Sequence, residues 1–213
     1  MTKGFGSRVG LREEKKQRLR SQLYETAIDM FRTRGFDQTR VQDVIAAVGV
    51  SEPTFFNYFP TKEAVLEEYA SQAVDVLIDV LGEEVDDESR PIEQKVRRLL
   101  ATIASGFADD PEFMTVVVTR SSIFRGARAG VRDREMVMYD LLTELFSGGQ
   151  QRGEIRPELD PRRLAETFTG AYMLTTANWL VAWWGERDDL GDRLEEQARV
   201  LLTGCQTDRP PKR

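Results

Sequence analysis

Apolar residues recur along this chain at intervals of three and four, and no stretch alternates long enough to read as a strand. From about Arg12 to Arg34, Leu19, Leu23, Ala27, Met30 and Phe31 share one helical face, and Gly35 supplies the stop. Thr39 followed three residues later by Gln42 reads as a capping box, which predicts a second helix from Arg40 to about Ala47, ended by Gly49. Ser51 is placed to cap a third helix, with Glu52 and Pro53 in its first turn. There a carboxylate suits the dipole and a proline gives up no needed N–H. Pro60 breaks that helix and Thr61 can cap the next.

The fourth helix carries Val65, Leu66, Tyr69, Ala73, Val76, Leu77 and Val80 on one face and runs into an acidic stretch, Glu83 to Glu88, that reads as a solvated turn. A fifth follows Pro91, with Ile92, Val96, Leu99, Leu100, Ile103 and Phe107 in register. Pro111 opens a shorter sixth through Val118. After a segment rich in Gly, Ser and Arg comes a seventh with Val137, Leu141, Leu142 and Leu145, closed by Gly148-Gly149 and Gly153. The eighth, after Pro161, has a stripe from Leu164 to Trp183, and Gly170 in it would let a facing backbone come close. The ninth, after Gly185, bears Leu190, Leu194, Ala198, Leu201, Leu202 and Cys205. Residues 1–10 and 207–213 read as disordered. The expectation is an all-α chain of about nine helices.

Composition narrows the chemistry. The 213 residues include no histidine and one cysteine, Cys205, which excludes His triads, His bases, His metal ligands and a thiolate zinc site. No metal, cofactor or catalytic group is therefore expected. The longest apolar run, around Val44 to Val50, is far shorter than the roughly 20 residues of a membrane helix. A start of Met1-Thr2-Lys3-Gly4 without an apolar leader points, with the single cysteine, to the cytoplasm. The net charge of −6 is unevenly placed: residues 1–62 hold 11 Lys/Arg against 7 Asp/Glu. That asymmetry suggests a basic module on an acidic body, the alternative being a chance scatter of charge.

Two short helices, Arg40–Ala47 and Glu52–Tyr58, joined through Val48-Gly49-Val50 have the spacing of a DNA-reading helix-turn-helix, although glycine-turned helix pairs also serve as plain scaffold in all-α proteins. Thr54, Asn57 and Tyr58 crowd the second with polar groups beside the apolar anchors Phe55 and Phe59. Lys62 opposes the dipole at the next helix start, which makes sense if a phosphate lies there.

The run Gly49-Val50-Ser51-Glu52-Pro53-Thr54-Phe55-Phe56-Asn57-Tyr58-Phe59-Pro60-Thr61-Lys62-Glu63 resembles the signature of the tetracycline-repressor (TetR) family. Phe31-Arg32-Thr33-Arg34-Gly35-Phe36 and Thr39-Arg40-Val41-Gln42-Asp43-Val44 fit it too. The resemblance covers roughly residues 15–68. It implies a three-helix DNA-binding domain at 1–60, a ligand-binding and dimerisation domain at 61–206 and a tail at 207–213. It places Gln42, Glu52, Pro53 and Thr54 where bases or nearby phosphates are touched, and Thr39, Asn57, Tyr58 and Lys62 where phosphates are gripped. Phe56 departs from a frequent tyrosine. Glu52 either accepts from cytosine N4 or merely caps its helix.

The resemblance also implies a homodimer through the last two helices. The crowding of Trp179, Trp183 and Trp184 supports this on its own, against the alternative that they pack inside the monomer. Ile103, Phe107, Phe113, Val117, Phe124, Tyr139, Leu142, Tyr172 and Trp179 are candidates to line an apolar effector pocket, or are plain core. Arg120, Arg125, Arg128, Arg132 and Arg134 suggest a lipophilic effector with an anionic head, such as an acyl-CoA, or form a solvated face. The function expected is a repressor released from a pseudo-palindromic operator by a small lipophilic ligand. The alternatives are an effector-independent DNA-binding protein and an all-α enzyme.

Overall fold

The computed structural model describes residues 6–121, 129–183 and 185–206, with the side chains of 6–10 and 129–135 left aside. Nine α-helices follow one another among these residues: α1 (Gly6–Arg34), α2 (Val41–Val48), α3 (Glu52–Tyr58), α4 (Glu63–Asp86), α5 (Ile92–Ala108), α6 (Pro111–Arg120), α7 (Ala129–Gln151), α8 (Pro161–Leu180) and α9 (Leu190–Cys205). The fold class is all-α, as the periodicity requires. One antiparallel bridge, Ile155 to Gln206, ties the turn after α7 to the end of α9.

The larger body is built on α4, α5, α7, α8 and α9. The helix α4 packs along α7, α7 on α8, and α5 on α9. Along α5, Ile92, Val96, Leu99, Leu100 and Ile103 are all buried, meeting Leu190, Leu194, Ala198 and Leu202 of the same core. Each such aliphatic side chain contributes on the order of 1.5–3 kcal/mol when fully buried. Gly149 lies inside α7 rather than closing it, and a Cβ there would come within 3.0 Å of Ile155 Cγ1. The glycine pair thus permits a close approach, and the stop is Gly153 at φ +75°.

Several local expectations are corrected. The helix α1 begins at Gly6, so residues 6–10 are helical rather than tail. The start of α2 is capped through Asp43, whose Oδ2 accepts the Arg40 N–H at 2.9 Å; the Thr39–Gln42 box does not form. Ser51 holds the cap position of α3, but its Oγ pairs with Thr54 Oγ1 at 2.7 Å instead of with a backbone N–H. Thr61 Oγ1 does accept the Ala64 N–H, at 3.2 Å.

In α4 the buried set is Val65, Leu66, Ala70, Leu81 and Glu84, while Ala73 and Val76 face solvent. The stripe drifts because α4 changes partner along its length, from α1 and α6 to α5 and α7. Val137 of α7 is likewise exposed, with Met138 buried in its stead. Gly170 lies on an exposed face and meets nothing that its missing Cβ would touch. The helix α8 ends at Leu180. Trp179 is buried and donates its indole N–H to the Asp188 carbonyl at 2.7 Å, whereas Trp183 is 68 % exposed.

The acidic stretch after Val80 is not a solvated turn. Its first part is the last turn of α4, and Glu84 is fully buried, accepting from Arg90 at 2.5 Å and Arg98 at 2.8 Å through Oε1. The Lys95 ammonium, also buried, donates to the Glu84 carbonyl. A carboxylate at a helix C-terminus is unfavourable alone; here two guanidinium groups hold it, and the Lys95 ammonium caps the backbone carbonyl of the same residue.

Candidate nucleic-acid interface

The turn between α2 and α3 is made by Gly49, whose φ of +78° is a left-handed conformation a side chain would strain. Its N–H closes on the Ile45 carbonyl at 2.8 Å, and that of Val50 on the same oxygen at 3.1 Å. This ends α2 and sets the direction of α3. Seven residues are too few for a helix to persist alone, so α3 is held by what it buries. Phe55 and Phe59, each 1 % exposed, stand one turn apart with ring centroids 5.8 Å from each other. The opposite side of α3 presents Glu52, Pro53, Phe56 and Asn57 to solvent, with Thr54 and Tyr58 half-buried at its edges. Gln42 is exposed on α2.

Six of the expected DNA-facing residues are therefore brought to one surface. Two are not. Thr39 is 1 % exposed and its hydroxyl donates to the Gly35 carbonyl at 2.8 Å, with the Met30 carbonyl at 3.2 Å. Lys62 Nζ donates to the carbonyls of Phe36 at 2.6 Å and Thr39 at 3.0 Å, and sits 4.0 Å from the Phe36 ring centroid. The lysine that opposes the dipole of α4 thus satisfies carbonyls of the α1–α2 link. Thr39→Val is expected to cost about 1–2 kcal/mol by deleting a buried hydrogen bond, with Thr39→Ser retaining most of it. Urea midpoints measure this; an unchanged midpoint with weakened DNA binding would return Thr39 to the phosphate-gripping set.

Residues 23–69, which span the end of α1, the two short helices and the start of α4, match the family described as bacterial regulatory proteins, tetR family. That segment is of the tetR family, and the chain is similar to TetR-family transcriptional regulators. It is 24 % identical over 165 residues to the HTH-type regulator YdgC of Bacillus subtilis, covering 76 % of this chain and 81 % of that one. Among solved structures, FadR of Thermus thermophilus in complex with lauroyl-CoA superposes with a TM-score of 0.69 at 27 % identity, over 91 % of this regulator and 98 % of that chain. FadR of Bacillus subtilis in complex with stearoyl-CoA gives 0.66 at 20 % identity, over 86 % and 98 %.

The tetR-family segment is fastened to the rest by contacts across α1 that sequence spacing does not reveal. Arg20 makes a two-pronged pair with Glu68, and Tyr24 donates to Gln72 at 2.9 Å. Burial, then the Glu68 charge, pushes the Tyr24 phenol up to about 12. Arg32 lies between the rings of Phe113, 4.8 Å away, and Tyr69, 5.5 Å away, with Asp110 at 3.5 Å. Arg120 reaches Asp37 at 2.8 Å, joining α6 to the α1–α2 link. Partners 37 to 83 residues apart leave no local signal in the sequence.

Of the residues expected around an effector, Ile103, Phe113, Val117, Leu142, Tyr172 and Trp179 are buried and Phe107 and Tyr139 half-buried. They come from α5, α6, α7 and α8 and pack as one core. Phe124 and the side chains of Arg125, Arg128, Arg132 and Arg134 lie outside the described residues, as does Trp184. A small apolar recess of about 20 Å³ lies elsewhere, between Val96, Phe146, Phe168 and Leu201. Among the described residues no helix is long and apolar enough to cross a membrane.

Proposed function

We propose that this regulator is a cytoplasmic repressor that binds a pseudo-palindromic operator as a homodimer and is released by a lipophilic ligand. Residues 1–60 form the DNA-binding domain and 61–206 the ligand-binding and dimerisation domain. The observation that carries the operator reading is the two-sided α3: polar side chains and Phe56 outward, Phe55 and Phe59 locked inward. Thr54 and Gln42 read base edges, while Asn57 and Tyr58 hold phosphates. Glu52 completes the first turn of α3. The dimer reading rests on Leu174, Trp183 and Val200, each more than 60 % exposed on or beside α8 and α9. Large apolar side chains left exposed on or beside the last two helices suit a surface for a partner, and a symmetric pair matches a two-fold operator.

The effector class we favour is an acyl-CoA. The FadR of Thermus thermophilus, alike along nearly its whole length, holds lauroyl-CoA, and five arginines between Arg120 and Arg134 supply charge for an anionic head. Ligand binding lowers operator affinity only if the released state binds the ligand better. Fluorescence anisotropy of a duplex from the protein's own upstream region, against a scrambled one, tests both parts. Gln42→Ala and Thr54→Ala should each cost about 1–3 kcal/mol, roughly tenfold, on the native duplex and little on the scrambled one. Lauroyl-CoA should release the native duplex. Equal affinity for both duplexes would sink the operator reading, and release by an uncharged aromatic compound but not by lauroyl-CoA would sink the acyl-CoA one.

A further inference from the structure

The basic excess of the N-terminal segment is not on the helix-turn-helix. Residues 1–20 hold seven Lys/Arg against two Asp/Glu, whereas residues 21–62 hold four against five. The operator-reading surface itself therefore carries no surplus of positive charge, although neutralising phosphates supplies most of the non-specific affinity of DNA-binding proteins. The charge is on α1, whose 29 residues span about 43 Å at 1.5 Å per residue. From Leu11 to Arg18 every side chain is exposed.

This half of α1 runs past the outer end of α3. Between them lies a solvent-open cleft of about 280 Å³, lined by Glu13, Lys16, Gln17 and Arg20 from α1 and by Asn57 and Tyr58 from α3. Arg20 is committed to Glu68 and lies 5.3 Å from the Phe59 ring centroid, so it forms the wall rather than a free charge. Lys16 and Gln17 line the α1 side of the cleft, and Asn57 and Tyr58 the α3 side, so both walls carry hydrogen-bond donors. Glu13 is the opposing charge, but its pair with Lys16 is long at 3.8 Å with both partners about 60 % exposed, and water screens it. Arg12, one turn before Lys16, extends the same face.

We propose that the exposed N-terminal half of α1 is a second DNA-contacting element. Its cleft against α3 seats a backbone phosphate of the duplex on Lys16, Gln17, Asn57 and Tyr58, with Arg12 taking a neighbouring phosphate. The inference rests on the operator reading of α3, with which it shares Asn57 and Tyr58, and it assigns the two helices different tasks. The α3 surface discriminates sequence; α1 supplies charge that holds any duplex.

The test is anisotropy of the full-length protein on native and scrambled duplexes between 50 and 300 mM salt, comparing wild type with Lys16→Ala and Arg12→Ala/Lys16→Ala. Each lost phosphate contact should lower the slope of log affinity against log salt by about 0.9, or roughly eightfold in affinity at 0.1 M salt. Both duplexes should weaken by the same factor, leaving their ratio unchanged. Glu13→Gln should tighten both. These side chains are exposed, so melting temperatures should stay at the wild-type value. An unchanged slope in the double variant, or weaker binding by Glu13→Gln, would overturn the proposal. If wild type fails to discriminate the two duplexes, the operator reading of α3 fails instead, and the slope on scrambled duplex still decides the role of α1.

Discussion

Phe55→Ala is expected to abolish operator discrimination and to lower stability by about 3–5 kcal/mol, the usual cost of emptying an aromatic site in a core. The ring is 1 % exposed, stands edge-on to Phe56 with centroids 5.5 Å apart, and lies over Phe59. Since α3 has only seven residues, burial of these two rings is what fixes its axis against α1 and α4. Losing Phe55 leaves the outward groups intact yet no longer aimed, so affinity for a native duplex should fall to that for a scrambled one. Phe55→Leu, which refills part of the space, should cost less on both counts. Chemical denaturation with anisotropy on the same samples measures the two effects together. Discrimination that survives in a destabilised Phe55→Ala protein would mean that the aim of α3 is held from elsewhere.

Glu84→Ala should be the most damaging single change in the larger body, at about 3 kcal/mol, because it breaks a buried charge cluster from one side. Arg90 and Arg98 are 31 % and 46 % exposed and can regain water. Lys95 cannot: it is 1 % exposed and fixed to the Glu84 carbonyl. Burial, then the nearby Arg152, already holds its ammonium below the ordinary 10.5, and the carboxylates around it oppose that. Removing Glu84 pushes Lys95 lower still.

A lysine whose folded value is depressed is held less tightly as a cation in the folded chain than in the unfolded one. Its penalty is present at neutral pH and disappears as pH rises to 10.5, where the unfolded chain also loses the proton. Urea midpoints of Glu84→Ala should therefore recover toward wild type as pH rises from neutral toward 10.5, and Glu84→Ala/Lys95→Met should be less destabilised than Glu84→Ala alone. A penalty that does not change with pH would place the cost in the lost Arg90 and Arg98 bonds instead.

The cluster also shows where sequence reading stops. Glu83 to Glu88 looks like a solvated turn because five of the six residues there are acidic, and nothing local says that Arg90, Lys95 and Arg98 fold back over Glu84. The internal partners of Thr39 and Lys62 are hidden from the sequence for the same reason. A threonine near a helix start and a lysine beside a DNA-reading motif invite a phosphate. Their groups are instead used up by the carbonyls of Met30, Gly35, Phe36 and Thr39.

By itself the sequence determined the helices and the reading surface. Three- and four-residue apolar spacing forces helices, Gly49 and Pro60 bound α3, and the alternation of Phe55 and Phe59 with Glu52, Thr54 and Asn57 sets which side faces out. All of these are carried within one or two turns of chain. Tertiary structure alone decided which polar groups remain free. It spends Thr39, Lys62, Arg20 and Glu84 on internal partners, and it lays the charged half of α1 against the end of α3. Those outcomes depend on contacts between residues up to 48 positions apart, and a hydrogen bond or ion pair at that separation has no periodicity for a sequence to display.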